Sequence, residues 1–98
     1  MRVISKKALN QFIEKVPKSA EPVLKWYLLC KERAWKNFSE VKKDFRSVDA
    51  VGNDLYVFNV GGNKYRIIAR IFFSGMGSVF IRFIGTHAEY DKVKLSSL

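Results

Sequence analysis

The sequence predicts an α+β fold: an N-terminal strand and a helical hairpin packed on a three-stranded antiparallel meander, closed by a short C-terminal helix. Three observations carry that expectation. Apolar residues recur at helical spacing through the first third of the chain. From Leu55 onward the pattern changes to β-rich runs separated by glycine-bearing turns. The two patterns follow one another without interleaving, which is the order of an α+β chain and not of a βαβ one. A length of 98 residues with 48% hydrophobic content and only 2 prolines fits a single domain over 1–98 and excludes a disordered tail.

Arg2-Val3-Ile4 reads as a brief strand handing over to a helix whose N-cap is Ser5. Ala8, Leu9, Phe12, Ile13 and Val16 then form one stripe, with Lys7, Gln11, Glu14 and Lys15 between them, until Pro17 ends the helix. Ser19 is placed to cap a second helix with Glu21 and Pro22 in its first turn, and Leu24, Tyr27, Leu28 and Trp35 supply its apolar stripe. Trp26, Trp35 and the phenylalanines are assigned to the core. Ser39 to Phe45 reads as one or two turns of helix or an irregular segment, and Ser47 to Asp54 as loop. Leu55 to Val60 and Lys64 to Phe73, joined by Gly61-Gly62-Asn63, make a hairpin. Ser74 to Ser78 turns the chain into a third strand, Val79 to Ile84. Thr86 and Glu89 are spaced as a capping box and predict a last helical turn through Tyr90-Asp91-Lys92.

Cys30 is the only cysteine, so an intrachain disulfide is excluded, and its place in the run Tyr27-Leu28-Leu29-Cys30 reads as a small buried side chain in a reducing compartment. One cysteine and one histidine fall short of the four ligands of a structural zinc site, and neither metal nor cofactor is expected. No apolar run approaches the roughly 20 residues that span a bilayer, and Met1 to Ser5 lacks the apolar stretch of a signal peptide. The expectation is a cytoplasmic protein with no membrane partner.

Eighteen basic against nine acidic residues give a formal charge of +9, which points to a polyanionic partner. Between Leu55 and Ala88 there is no aspartate or glutamate, while Lys64, Arg66, Arg70, Arg82 and His87 all fall there. The two-residue period of a strand puts Lys64, Arg66, Ile68 and Arg70 on one face and Tyr65, Ile67, Ala69 and Ile71 on the other. An ordinary solvated face would intersperse acids, so their absence favours nucleic-acid binding over simple exposure. Lys42, Lys43 and Arg46 are further candidates for phosphate contact, whereas Glu21 with Lys25 and Glu32 with Lys36 suit surface pairs four residues apart. His87 stands just past a strand at a helix start, where it either presents a reactive imidazole or fills the edge of the core. Tyr90 is open to the same two readings.

The stretches Val57-Phe58-Asn59-Val60-Gly61-Gly62-Asn63-Lys64-Tyr65-Arg66-Ile67 and Thr86-His87-Ala88-Glu89-Tyr90-Asp91 resemble the HigB toxin family, within the wider RelE-like group of type II toxin–antitoxin systems. The likeness extends over nearly the whole chain, including Val3 to Leu9. It implies a RelE-like fold, cleavage of mRNA on the ribosome with contacts to ribosomal RNA, and neutralisation by a HigA-like antitoxin protein. It also implies catalytic roles for three positions. Arg66 corresponds to a strand arginine that stabilises phosphate charge, His87 falls where the group places an arginine or histidine, and Tyr90 lies near a terminal tyrosine, with Asp91 an alternative at that offset. Metal-free cleavage through the 2′-hydroxyl needs a base, stabilisation of the phosphorane and an acid for the leaving 5′-oxygen. His87 could serve as base or acid, and cationic surroundings favour the neutral, basic form. Lys64, Arg70 and Arg82 would clamp the RNA backbone, with Lys42, Lys43 and Arg46 as additional RNA or ribosome contacts. Two other readings stand beside this one: a non-catalytic RNA- or DNA-binding module using the same cationic sheet, and a degenerate toxin kept as the partner of an acidic antitoxin segment.

Overall fold

Tyr65, Ile67, Ala69 and Ile71 alternate with Arg66, Ile68 and Arg70, and the first set is buried throughout. That alternation sets the sheet's two faces. The computed structural model describes residues 1–98. Its elements are β1 (Arg2–Ile4), α1 (Lys6–Lys15), a 3-10 turn (Pro17–Ser19), α2 (Ala20–Glu32), α3 (Phe38–Asp44), β2 (Asp49–Ala50), β3 (Leu55–Val60), β4 (Tyr65–Phe72), β5 (Ser78–Thr86), α4 (His87–Tyr90) and a closing 3-10 turn (Leu95–Ser97). The expected meander β3–β4–β5 forms the centre of a five-stranded sheet of order β1-β5-β4-β3-β2. Of the two edge strands, β1 is the expected N-terminal strand, now placed in the sheet, and β2 is an addition. β1 pairs in parallel with the start of β5, Arg2 opposite Ser78. β2 occupies part of the stretch read as loop and pairs antiparallel with β3, Asp49 opposite Val57. A two-residue strand with both side chains exposed carries no alternation for sequence reading to detect.

On one face of the sheet Tyr65, Ile67, Ala69 and Ile71 join Tyr56, Phe58, Val60 and Val79. They meet Leu9 and Phe12 of α1, Val23, Trp26 and Cys30 of α2, and Val41 of α3. Edge-to-face contacts of Trp26 with Phe58 at 5.3 Å and Phe12 with Tyr65 at 5.7 Å seat the helices on the strands. The opposite face is not simply solvated. Leu55, Val57 and Ile68 form a second small cluster, covered by Phe83, Tyr90, Val93, Leu95 and Leu98. Cys30 is fully buried, and that burial pushes its thiol pKa well above the ordinary value.

Helix α2 buries a different stripe from the one expected. Val23, Trp26 and Cys30 face the core, whereas Leu28 is 62% exposed. The helix is apolar on two sides, so periodicity alone could not choose between them. Trp35 is buried, but beyond the helix end. Its indole Nε1 donates to Asp44 Oδ2 at 2.7 Å, and Arg33 Nε donates to the same oxygen at 3.0 Å, fastening the α2–α3 connection. Phe72 is likewise no core residue. It is 43% exposed and lies edge-on to Phe80. Ser5 and Ser19 occupy N-cap positions without a side-chain cap, and Ser19 Oγ instead donates to Val16 O at 2.7 Å inside the 3-10 turn. Asn37 caps α3 through an Oδ1 that accepts from Glu40 N at 3.1 Å. No helix is long and apolar enough to cross a membrane.

The stripe assignment on α2 has a direct test in urea unfolding. Trp26→Ala is expected to cost about 3–5 kcal/mol, while Leu28→Ala should change stability by no more than about 0.5 kcal/mol. Comparable losses for the two would contradict the buried face described here.

Candidate functional site

The last turn of the hairpin and the last helix meet at one end of the sheet. Gly61, Gly62 and Asn63 hold φ of 65°, 60° and 72° in succession, a left-handed run that glycine, and next to it asparagine, adopts at least cost. This turn delivers Lys64 and the start of β4 opposite the end of β5, where Tyr65 pairs with Thr86 and Arg66 with Gly85. One residue further, His87 N donates to Lys64 O at 3.2 Å, so the ladder continues into the first residue of α4.

Four residues are too few for a helix to stand alone, and α4 is held by its cap. Thr86 Oγ1 accepts from Glu89 N at 3.2 Å, and Thr86 N donates to Glu89 Oε1 at 2.8 Å, the reciprocal capping box that the sequence spacing predicts. The backbone N–H of Thr86 holds the Glu89 carboxyl below its ordinary pKa. Gly85 lets this turn lie close to the strand. A Cβ built there would stand 2.6 Å from the Phe83 ring and 3.0 Å from Glu89 Oε1.

Within this frame Arg66 is half-buried, and its guanidinium carbon stands 5.4 Å from the centre of the Tyr90 ring. Tyr90 in turn leans on Phe83, with ring centres 6.5 Å apart. Arg66 forms no ion pair, in contrast to Arg33 with its two carboxylates. Its Nε is buried without a hydrogen-bond partner. His87 is half exposed and does not fill the core edge; its Nδ1 lies 3.3 Å from Asp91 Oδ2. Nε2 is the ring nitrogen with no carboxylate beside it. Lys64, Arg66, His87 and Tyr90 are therefore gathered at one end of the β4–β5 pair, and an unpaired guanidinium, an oriented imidazole and a phenol suit a phosphate substrate. No three His, Cys, Asp or Glu side chains converge as a metal site would need.

The other sequence candidates lie elsewhere or are engaged. Arg70 follows Arg66 on the same strand face, but its Nε donates to Asn53 O at 3.2 Å and its Nη2 to Leu98 O at 3.1 Å. A bulge opposite Ile68 and Ala69 leaves Arg82 outside the β4–β5 register, and it lines a groove beside α1 with Gln11 and Lys15. Lys42 donates to Val48 O at 2.9 Å, and Lys43 and Arg46 are exposed on and just after α3, whose Val41 packs into the helical-face core. Arg46 precedes Ser47, whose O accepts from Nδ2 of Asn59, the residue opposite Arg66 on β3, so this segment reaches the margin of the Arg66 face. Sequence reading missed the partnership of His87 with Asp91, although their spacing of four on a helix was available. It also missed Gly85, whose signal is a glycine inside a strand run, and Asn59, the register partner of Arg66, whose Oδ1 is buried without a partner.

Two outcomes follow from the cap and the close approach. Gly85→Val should destabilise the protein by about 1–3 kcal/mol and move the amide resonances of residues 86–91, because strand or helix must retreat; an unperturbed spectrum would refute the contact. The Glu89 carboxyl has a lowered folded pKa, so the cap's stabilisation is complete above the ordinary value of 4.5 and is lost as pH falls through the folded value. The Thr86 amide shift followed from pH 7 downward should titrate below 4.5, and Glu89→Gln should abolish that titration.

Residues 19–93 match the family model HigB_toxin, described as the RelE-like toxic component of a toxin-antitoxin system. An mRNA interferase HigB of Escherichia coli O6:H1 (strain CFT073) is 35% identical over 95 residues, covering 95% of this chain and 91% of that protein. The mRNA interferase toxin HigB of Escherichia coli K12 and an mRNA interferase HigB of Shigella flexneri are each 34% identical over 93 residues, or 93% of this chain and 88% of theirs.

Proposed function

The chain belongs to the HigB family of RelE-like toxins of toxin–antitoxin systems, and from that premise we propose that residues 1–98 are one toxin domain that cuts mRNA on the ribosome, in the cytoplasm, through the 2′-hydroxyl and without a metal. The observation that carries the chemistry is the Arg66 guanidinium, free of any carboxylate, stacked on Tyr90 and paired across the ladder with the strand end that leads into His87.

In this reading the 2′-oxygen attacks the adjacent phosphorus to give the 2′,3′-cyclic phosphate, and the 5′-oxygen leaves and takes up a proton from water. Arg66 stabilises the charge that accumulates on the phosphorane oxygens. His87, with Nδ1 held toward Asp91, removes the 2′-hydroxyl proton through Nε2. Tyr90 keeps the guanidinium in place and presents a hydroxyl to the same phosphate. Lys64, Arg82, Lys43 and Arg46 contact the backbones of mRNA and ribosomal RNA. Lys42 and Arg70 add charge to that field while their donors serve backbone carbonyls. The antitoxin protein of the system is the second partner.

Primer extension on mRNA carried by translating bacterial ribosomes is the test, with wild type, His87→Ala and Arg66→Ala compared at equal ribosome occupancy. Wild type should give discrete cuts ending in 2′,3′-cyclic phosphate, and each variant should lose on the order of 10²-fold or more in rate. Occupied ribosomes without cuts would reduce the basic sheet to a binding surface.

A further inference from the structure

Between Phe80 and Thr86, whose N–H is taken by Glu89 Oε1, strand β5 has an outer edge that no neighbouring strand satisfies. β1 pairs with it only from Ser78 to Phe80. After Ile4 the chain leaves the sheet and becomes α1, while β5 continues to Thr86. Helix α1 runs beside this stretch, but its N–H and C=O groups are bonded along its own axis and cannot complete a strand ladder. Between the helix and the open edge lies a groove of about 370 Å³ whose walls include Gln11, Phe12 and Lys15 on one side and Ile81, Arg82 and Ile84 on the other.

The lining indicates what would fill it. A strand edge presents donors and acceptors in turn, which matches a polypeptide backbone; a nucleic-acid phosphate chain offers acceptors and no donors. Phe12, Ile81 and Ile84 give an apolar floor for alternate side chains of an added strand. Lys15 and Arg82 supply the charge; neither forms an ion pair, and no acid lines the groove. A second copy of a chain carrying +9 would be repelled there, whereas an acidic segment would be attracted.

We propose that the antitoxin of this system adds an extended, acidic and apolar strand to the outer edge of β5 between Ile81 and Gly85, seated in the groove against α1. The inference rests on the toxin reading for the identity of the partner, while the strand edge and its charge specify the mode of docking. The added strand runs alongside β5 as far as Gly85, the register partner of Arg66, so the same polypeptide reaches the margin of the candidate active site.

The experiment uses the full chain and its cognate antitoxin. Backbone hydrogen exchange should slow at least tenfold within Ile81–Gly85 in the complex relative to the free chain. Gln11→Trp, which fills the groove from an exposed helix position, should weaken antitoxin affinity at least tenfold. Lys15→Gln should weaken it about threefold and flatten its salt dependence. Cleavage of ribosome-bound mRNA without antitoxin should stay at the wild-type rate in both variants. Unchanged exchange at Ile81–Gly85 in a formed complex would overturn the proposal, with no variant needed. Wild-type affinity in a folded Gln11→Trp would do the same. If antitoxin protects another surface while cleavage persists, this docking mode falls and the toxin reading stands; if the chain neither cleaves nor binds antitoxin, both fall.

Discussion

The pairing of β4 with β5 is the constraint on which the rest of the structure depends. Its register places Ile67 opposite Ile84 and Ile71 opposite Val79, which closes the helical-face core. The same register sets Arg66 against Gly85 and carries on through the His87 N to Lys64 O bond. A shift of one residue would turn every side chain of β4 to the other face, exchanging arginines for core isoleucines. Stability and site geometry are thus read from one ladder. A helix as short as α4 has a defined position because it begins where that ladder ends.

The absence of acids between Leu55 and Ala88 shapes how the cations of this region are held. Arg70 donates to Asn53 O and Leu98 O and to no acidic side chain. Arg66 has only the face of Tyr90. Carbonyls and aromatic rings orient a cation without cancelling its charge, so the field at the surface remains positive where an ion pair would have quenched it. Where the chain does use ion pairs, at Arg33 with Glu32 and Asp44, the purpose is to pin the connection between α2 and α3.

The sequence made the meander legible because β3, β4 and β5 are neighbours along the chain and their alternation is strong. The capping box at Thr86 and Glu89 was legible for the same local reason. What escaped was non-local or doubly apolar. The parallel pairing of Arg2 with Ser78 leaves no trace in either segment alone. Leu24 and Leu28 compete with Val23 and Trp26 for the inward side of α2, and only the tertiary contact with Phe58 decides between them. Val93, Leu95 and Leu98 show no period, so their cover over Leu55, Val57 and Ile68 could not be anticipated, nor could the diversion of Arg70 to the Leu98 carbonyl. Among candidate site residues, Lys64, Arg66, His87 and Tyr90 come together because strand period and helix start fix them. Arg82 does not join them, since a bulge is invisible to a period-two argument.

The parallel pairing of β1 with β5 also bears on the order of events during synthesis. Residue 2 must wait for residue 78 before its strand has a partner, and closing so long a loop is entropically costly and slow compared with forming the local hairpin. The residues gathered around Arg66 and His87 lie in the last third of the chain. A nascent polypeptide still emerging from its ribosome therefore has helices before it has the Arg66–His87 cluster. The cluster exists only once the last strand has been made, and the sheet closes only when β1 has found it.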